Sequence, residues 1–287
     1  MTWDIRGKNV LVTGGTNGIG LEASVQLARL GAHVTIVGRN PARTEAAATD
    51  IAARGGAPGV GRLICDFSSQ AAIRRLAGEV HERYDRLDVL VNNAGGVNKT
   101  RWVTEDGIEA TFAVNHLGYF LLTNLLLDLL ERSAPARVVS VASAGHRHGT
   151  MDFEDLGYER RYSIMKAYAR SKLGNVLFSN ELSRRLAGTG VTSNSLHPGA
   201  VATNIWSGAP TWARPFIALV ARPFFITPEK GGERITQLVT DPALSEVTGA
   251  YFENGKRVPA SPRAQDEPLA RHLWTASSTL AGVPSDA

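Results

Sequence analysis

Seven residues, Gly14-Gly-Thr-Asn-Gly-Ile-Gly20, constrain this chain more than any other stretch. They come after a short β-branched run, Asn9-Val-Leu-Val-Thr13. They precede an amphipathic stretch from Leu21 to Leu30 that Gly31 closes. Strand, glycine turn and helix in that order present backbone N–H groups and a helix N-terminus to one point, an arrangement suited to a pyrophosphate. Glycine is needed where the backbone takes positive φ or lets a ligand approach closely. The spacing is Gly14-x-x-x-Gly18-x-Gly20, which differs from the Gly-x-Gly-x-x-Gly of the commoner dinucleotide fingerprint. A glycine-rich turn alone is weak evidence, but with a strand before it and a helix after it the expectation is dinucleotide binding.

The chain beyond Gly31 repeats the alternation. Ala32-His-Val-Thr-Ile-Val37 reads as a second strand, Pro41 to Arg54 as a helix with proline in its first turn, and Gly61-Arg-Leu-Ile-Cys65 as a third strand ending at Asp66-Phe67. A helix over Gln70 to Tyr84 and a strand Leu87-Asp-Val-Leu-Val91 come next. Such alternation predicts an α/β fold, a doubly wound parallel sheet of Rossmann type with helices on both faces. Strands of such a sheet end at the ligand edge, which places Asp66 and Asn92-Asn-Ala-Gly95 there. After the second strand stands Gly38-Arg39-Asn40. A ribose 2′-hydroxyl usually meets an acid at this place and a 2′-phosphate meets an arginine, so Arg39 favours the phosphate-bearing cofactor unless it is an ordinary solvated loop residue.

Further on, Ile108 to Leu130 is strongly apolar at helical spacing and carries Asn115. Asparagine is a poor helix former, so Asn115 is either a satisfied core polar group or a functional one. Arg137-Val-Val-Ser-Val-Ala-Ser143 and Thr192-Ser-Asn-Ser-Leu-His197 read as strands. The first brings Ser143 to the ligand edge, and the second stops at Pro198-Gly199. Gly145 to Arg161 reads as irregular. The run from Tyr168 to Leu186 is amphipathic, Pro228 to Leu238 reads as a helix, and Tyr251-Phe-Glu as a last strand. We find no repeat or interdomain linker, so residues 1–287 are expected to form one domain, with a C-terminal tail over 258–287.

Composition excludes several classes. The formal charge of +4 is mild and its basic residues are scattered, which argues against nucleic acid and suits a small anionic ligand. Cys65 is the single cysteine and reads as a buried structural thiol. No basic start leads into an apolar core, and no apolar run reaches the ~20 residues that span a bilayer. A cytoplasmic protein without stable membrane insertion is expected. His146 and His148 have no carboxylate spacing that would make a metal site, and they read as solvated or structural, so no metal is expected. His197 reads as a strand-end hydrogen bonder, and Lys99 with Arg101 as a solvated loop cluster.

Tyr168 and Lys172 stand four apart, so a helix puts them on one face. A nearby ammonium favours the phenolate, and such a phenol can give a proton to a carbonyl oxygen or take one from an alcohol. Taken alone, the pair occurs on many solvated helices. Its context changes that. Thr13-Gly-Gly-Thr-Asn-Gly-Ile-Gly20, Asn92-Asn-Ala-Gly95, Asn115, Ser143, Tyr168-x-x-x-Lys172 and Pro198-Gly199 come in the order of the short-chain dehydrogenase/reductase family, which the chain resembles from about Gly7 to Glu253. Ala142-Ser-Ala-Gly-His146, Ser171-Lys-Leu-Gly-Asn175 and Leu196-His-Pro-Gly199, with a long segment between Ser143 and Tyr168, resemble the branch that includes the retinol dehydrogenases and their bacterial relatives.

The resemblance implies that Tyr168 is the acid/base and that Lys172 lowers its pKa and holds the nicotinamide ribose. It implies that Ser143 donates to the substrate oxygen and that Asn115 holds a water linking Lys172 to solvent. Cofactor contacts are implied at Gly14, Thr16, Asn17, Gly18, Ile19 and Gly20, at Arg39, and at Asp66 and Phe67. They are implied also at Asn93, Ala94 and Gly95, at Tyr168 and Lys172, and at Pro198, Gly199, Val201 and Thr203. The expected activity interconverts a carbonyl and an alcohol with NADP(H) favoured over NAD(H) and a small-molecule substrate. The alternatives are an NAD-dependent alcohol dehydrogenase on the same scaffold and a non-catalytic dinucleotide sensor, since fold alone does not give function. A homodimer is the assembly this resemblance allows. Residues 204–227, rich in Trp, Phe and Pro, read either as a lid over a bulky apolar substrate or as a packing or docking segment.

Overall fold

The computed structural model describes residues 3–200 and 226–285. Most of the expected lid, 204–227, and the cofactor candidates Val201 and Thr203 lie outside those residues. Seven strands run parallel: β1 (Asn9–Thr13), β2 (His33–Gly38), β3 (Gly61–Ile64), β4 (Val89–Asn92), β5 (Ala136–Val141), β6 (Val191–His197) and β7 (Tyr251–Glu253). An antiparallel β8 (Lys256–Val258) completes the sheet, in the order β3-β2-β1-β4-β5-β6-β7-β8. The doubly wound fold expected from the alternation is present. The chain winds outward from β1 to β3, then returns past β1 to start β4. This reversal opens a crevice beyond the carboxyl ends of β1 and β4, the place where such sheets bind ligands.

Helices cover both faces because the central strands are apolar on both sides. One face packs Leu11, Leu63, Leu90 and Val138 under Leu76, Phe120, Leu173, Leu177 and Trp274. The other packs Val12, Ile36, Val91 and Val139 under Val25, Leu27, Ile51, Ile235 and Val239. Burying one such side chain contributes about 1.5–3 kcal/mol, so the two layers together dominate the fold's stability. Helix α1 (Gly18–Arg29) lies directly against α8 (Pro228–Thr240): a Cβ at Gly232 would sit 2.7 Å from the Ala23 backbone nitrogen. Helix α2 (Pro41–Gly55) begins at an Asn40 cap and stops at Gly56 with φ 65°. Helix α3 is Gln70–Arg83.

Three local expectations are corrected. Ile108 to Leu130 is not one helix: α4 (Ala110–Phe112) runs into a π-turn (Ala113–Leu117), then α5 (Gly118–Leu125), and after a break at Leu126 α6 (Leu127–Arg132). The apolar periodicity survives a π-turn, which inserts one residue without ending the buried face, so the sequence conceals it. Helix α7 is Ile164–Arg185, beginning one turn before Tyr168. Its first turn exposes Ile164, Met165 and Lys166, leaving no amphipathic signal there. Strand β8 is additional to the expected strands, although Asn254-Gly255, at φ 54° and 74°, is the dipeptide that favours a two-residue hairpin turn.

Beyond β8 the chain forms α9 (Glu267–Ala281), which packs Leu273 and Trp274 into the core beside α7. Cys65 is buried, and burial pushes its thiol up to about 12. Among the described residues no helix is long and apolar enough to cross a membrane.

Candidate active site

The glycine turn is built for close approach. Gly14 (φ 68°) has no room for a side chain, since a Cβ there would lie 2.8 Å from the Ala94 Cα. A Cβ at Gly20 would collide with the Asn93 amide. Gly18 also has positive φ, 55°, but nothing within 4 Å of where its Cβ would be, so there conformation rather than crowding requires glycine. Asn17 stands at the N-cap of α1 with no side-chain cap hydrogen bond, so the helix's leading N–H groups are not taken up by their own cap. Among the described residues this turn and helix end fit the phosphates of a dinucleotide. Thr16 lies over Gly38 and Arg39 is exposed just past β2, making no ion pair among the described residues.

The next strand end holds this turn in place. Asn93 Nδ2 donates to the carbonyls of Thr13 (2.9 Å) and Gly14 (3.1 Å). Thr13 Oγ1 accepts from the backbone N–H groups of Asn93 (2.9 Å) and Ala94 (3.0 Å). Asn93 and Ala94 therefore brace the cradle. Thr13 belongs with them, and its buried hydroxyl is legible in the sequence only as part of the motif. Asp66 is exposed and accepts from the Ser68 backbone and hydroxyl (2.9 and 2.8 Å), whereas Phe67 turns into the core against Gly118. Pro198 gives its carbonyl to Arg234 (2.7 Å), and Gly199, at φ 104°, is closed over by Arg234 and Ile226.

The four candidate catalytic residues converge at the same edge. Ser143 comes after β5 in extended conformation and caps a 3₁₀ turn, Ala144–His148, its Oγ accepting from Gly145 N at 3.1 Å. A Cβ built on Gly145 would lie 3.4 Å from Ser143 Oγ and 3.6 Å from Tyr168 Cε1, so hydroxyl and phenol ring flank that glycine. Lys172 Nζ donates to the Val141 carbonyl at 2.9 Å, which also accepts from Asn175 Nδ2 at 3.1 Å. Asn175 is a positional partner to which the sequence alone assigns no role. Asn115, in the π-turn, exchanges two hydrogen bonds with Gly96, Oδ1 accepting from its N–H and Nδ2 donating to its carbonyl (both 2.9 Å). The same Nδ2 reaches Ser171 Oγ at 3.1 Å, and that hydroxyl donates to the Tyr168 carbonyl at 2.8 Å. The Asn115 side chain is thus committed to bracing the loop after β4 against α7.

Electrostatics here depart from the simple pairing expected of Tyr168 and Lys172. Burial lowers the Lys172 ammonium to about 8, and the Tyr168 phenol is raised above its ordinary value by burial, with hydrogen bonding to Ser143 pulling it back in part. Lys172 Nζ stands 5.8 Å from the Tyr168 ring centroid and donates to Val141, so burial, offset in part by Ser143, governs the phenol and raises its pKa. His146 is buried, and its pKa is lowered chiefly by that burial. His197 Nδ1 has no hydrogen-bond partner among the described residues, so the expected strand-end bond is not made by that nitrogen. Arg101 is not simply solvated: it donates to the Gly157 carbonyl at 2.9 Å. Among the described residues no group of His, Cys, Asp and Glu could hold a metal ion.

The family model described as short chain dehydrogenase matches residues 8–214. The chain belongs to the short-chain dehydrogenase family. Within it the chain is retinol dehydrogenase-like. It is 42% identical over 284 residues to retinol dehydrogenase 13 of Homo sapiens, covering 97% of this chain and 86% of that protein. Among solved structures, an uncharacterized protein from Mycobacterium Paratuberculosis superposes with a TM-score of 0.80 at 31% identity, covering 98% of this chain and 96% of that one. A short chain dehydrogenase from Burkholderia cenocepacia J2315, in complex with NADP, has a TM-score of 0.69 at 26% identity, covering 87% and 96%. This short-chain dehydrogenase is therefore an oxidoreductase of a dinucleotide-binding family, acting on CH–OH groups of small molecules.

Proposed function

We propose that the chain is an NADP(H)-dependent oxidoreductase that interconverts a bulky apolar aldehyde or ketone and its alcohol, with Tyr168 as the acid/base. One observation carries the reading: the Ser143 hydroxyl and the Tyr168 ring flank Gly145 at the carboxyl edge of the sheet, one helical turn from buried Lys172. The bound nicotinamide supplies or accepts the hydride. The chain's own part is to hold one oxygen and move one proton. Ser143 Oγ accepts the Gly145 N–H, which leaves its own proton to be given to the substrate oxygen as charge develops there. Tyr168, whose phenol burial raises above its ordinary value, holds a proton at neutral pH that it can give to a carbonyl oxygen.

Gly14, Gly18 and the N-terminus of α1 would hold the pyrophosphate, Arg39 the 2′-phosphate and Lys172 the ribose hydroxyls. The NADP held by the Burkholderia cenocepacia neighbour supports the cofactor choice, and the name of the human relative supports a bulky apolar substrate. The test titrates the protein with NADPH and NADH by tryptophan fluorescence, then tracks cofactor absorbance across a panel of aldehydes and ketones. NADPH-dependent turnover of bulky apolar carbonyls is expected. Failure to bind either cofactor, or turnover with NADH alone, would overturn the reading.

A further inference from the structure

His146 makes two hydrogen bonds that together admit a single protonation state. Its Nε2 accepts from the backbone N–H of Ser261 at 3.1 Å, so that nitrogen carries no proton. In the neutral ring the proton is then on Nδ1, which lies 2.7 Å from the Ser143 carbonyl and donates to it. The ring is buried and packs on Tyr251, with centroids 4.8 Å apart. Ser261 lies in the tail beyond β8, where its hydroxyl caps a short 3₁₀ turn, Pro262–Gln265. The same tail reaches the other end of the Ala144–His148 turn, where Arg263 donates to the Gly149 carbonyl at 2.6 Å. Gly149 is itself pressed on α7, since a Cβ there would lie 2.5 Å from the Ala169 carbonyl oxygen.

We infer that His146 is a positioning residue, a neutral imidazole strut through which the C-terminal tail sets the aim of the Ser143 hydroxyl. The inference rests on the reading of Ser143 as the donor to the substrate oxygen. Ser143 has one soft degree of freedom that matters, the direction of Oγ. That direction depends on its backbone and on the Gly145 N–H it accepts. The Ser143 carbonyl also accepts from the His146 backbone N–H at 3.0 Å, so backbone and ring of His146 together hold the Ser143–Ala144 peptide plane, one residue ahead of the Gly145 N–H. The ring must stay neutral for this, because a second proton would face N–H against N–H at Ser261. Tyr251 from β7 packs on the ring, and the titratable groups near enough to act on it are Glu253 from β7, His197 from β6, and Arg147 and His148 from the turn itself; burial, the largest influence, keeps its pKa below the ordinary value.

The test has one arm that needs no turnover. In the ¹⁵N-histidine spectrum of the wild-type chain at pH 7, His146 should give a neutral ring protonated at Nδ1, the minor tautomer of free histidine. Protonation at Nε2 would overturn the strut. In the second arm His146→Phe keeps a ring against Tyr251 but loses both hydrogen bonds. Ser261→Pro removes the donating N–H at a residue whose φ of −61° suits proline, and Ser261→Ala removes only the hydroxyl. With the best carbonyl of the panel, His146→Phe and Ser261→Pro should lower kcat on the order of 10–100-fold, as small misplacements of a reacting group do, with the Kd for NADPH unchanged. Ser261→Ala should stay near wild type. Folded His146→Phe with unaltered kcat would overturn the inference. Wild-type protein that turns over no carbonyl counts against the proposed function instead. The strut is then judged by the tautomer and by Gly145 amide exchange, which should quicken in His146→Phe and must not stay equal.

Discussion

Lys172 Nζ and the Val141 carbonyl are joined by a 2.9 Å hydrogen bond that ties α7 to the end of the central strand β5. The bond is made inside the protein, where the ammonium is almost wholly withdrawn from water. This cost is visible in its pKa, which burial lowers from 10.5 to about 8.

The charge on Lys172 therefore opposes folding. At pH 7 the residue is charged in both folded and unfolded states, and a shift from 10.5 to about 8 corresponds to on the order of 3 kcal/mol against folding. Between those two values the unfolded chain binds more protons, so stability contributed at this site rises as pH rises from about 8 towards 10.5. Lys172→Met should raise the thermal midpoint by ~5 °C at pH 7 and abolish activity. Calorimetry on both proteins checks this, and a lower midpoint in the variant would contradict the assignment.

Tyr168→Phe keeps the ring and loses the proton. Carbonyl reduction should fall 10²–10⁴-fold, the usual worth of general acid catalysis, with NADPH affinity unchanged. Burial raises the wild-type phenol above its ordinary 10.0, so the group holds its proton below that pH and loses it above. Reduction should therefore stay level through the neutral range, while alcohol oxidation climbs with pH. Rates in both directions from pH 6 to 10 read this out, and oxidation that is flat with pH would tell against the phenol as base.

Arg39 should govern cofactor choice. A charge-assisted hydrogen bond contributes roughly 1.5–3 kcal/mol, or about 10–150-fold in affinity. Arg39→Ala should narrow the gap between NADPH and NADH mainly by weakening NADPH. Fluorescence titration of both cofactors measures it, and equal dissociation constants in the unmutated protein would refute the role.

Trp206 and Trp212 test the role of segment 204–227. If it is a lid, Trp206→Ala or Trp212→Ala should raise KM for bulky carbonyls several-fold and leave NADPH affinity alone. Unaltered kinetics with changed stability or membrane association would make it a packing or docking segment.

By itself the sequence determined the alternation of strands and helices, the carboxyl edge where the strands stop, and the order of the motif residues. Those are local properties: periodicity, β-branched runs and glycine at positive φ declare themselves within a few residues. It also carried Ser143, Tyr168 and Lys172, because a strand end and a four-residue helical spacing translate directly into position. Only the tertiary structure decided the rest. It put a π-turn under Asn115 and committed that amide to Gly96 and Ser171. It aimed Lys172 at Val141, so that burial rather than charge pairing governs Tyr168. It also joined His146 to Ser261 across 115 residues of chain. The direction of a side chain and the water it loses depend on neighbours distant in sequence, and no spacing within one element encodes them.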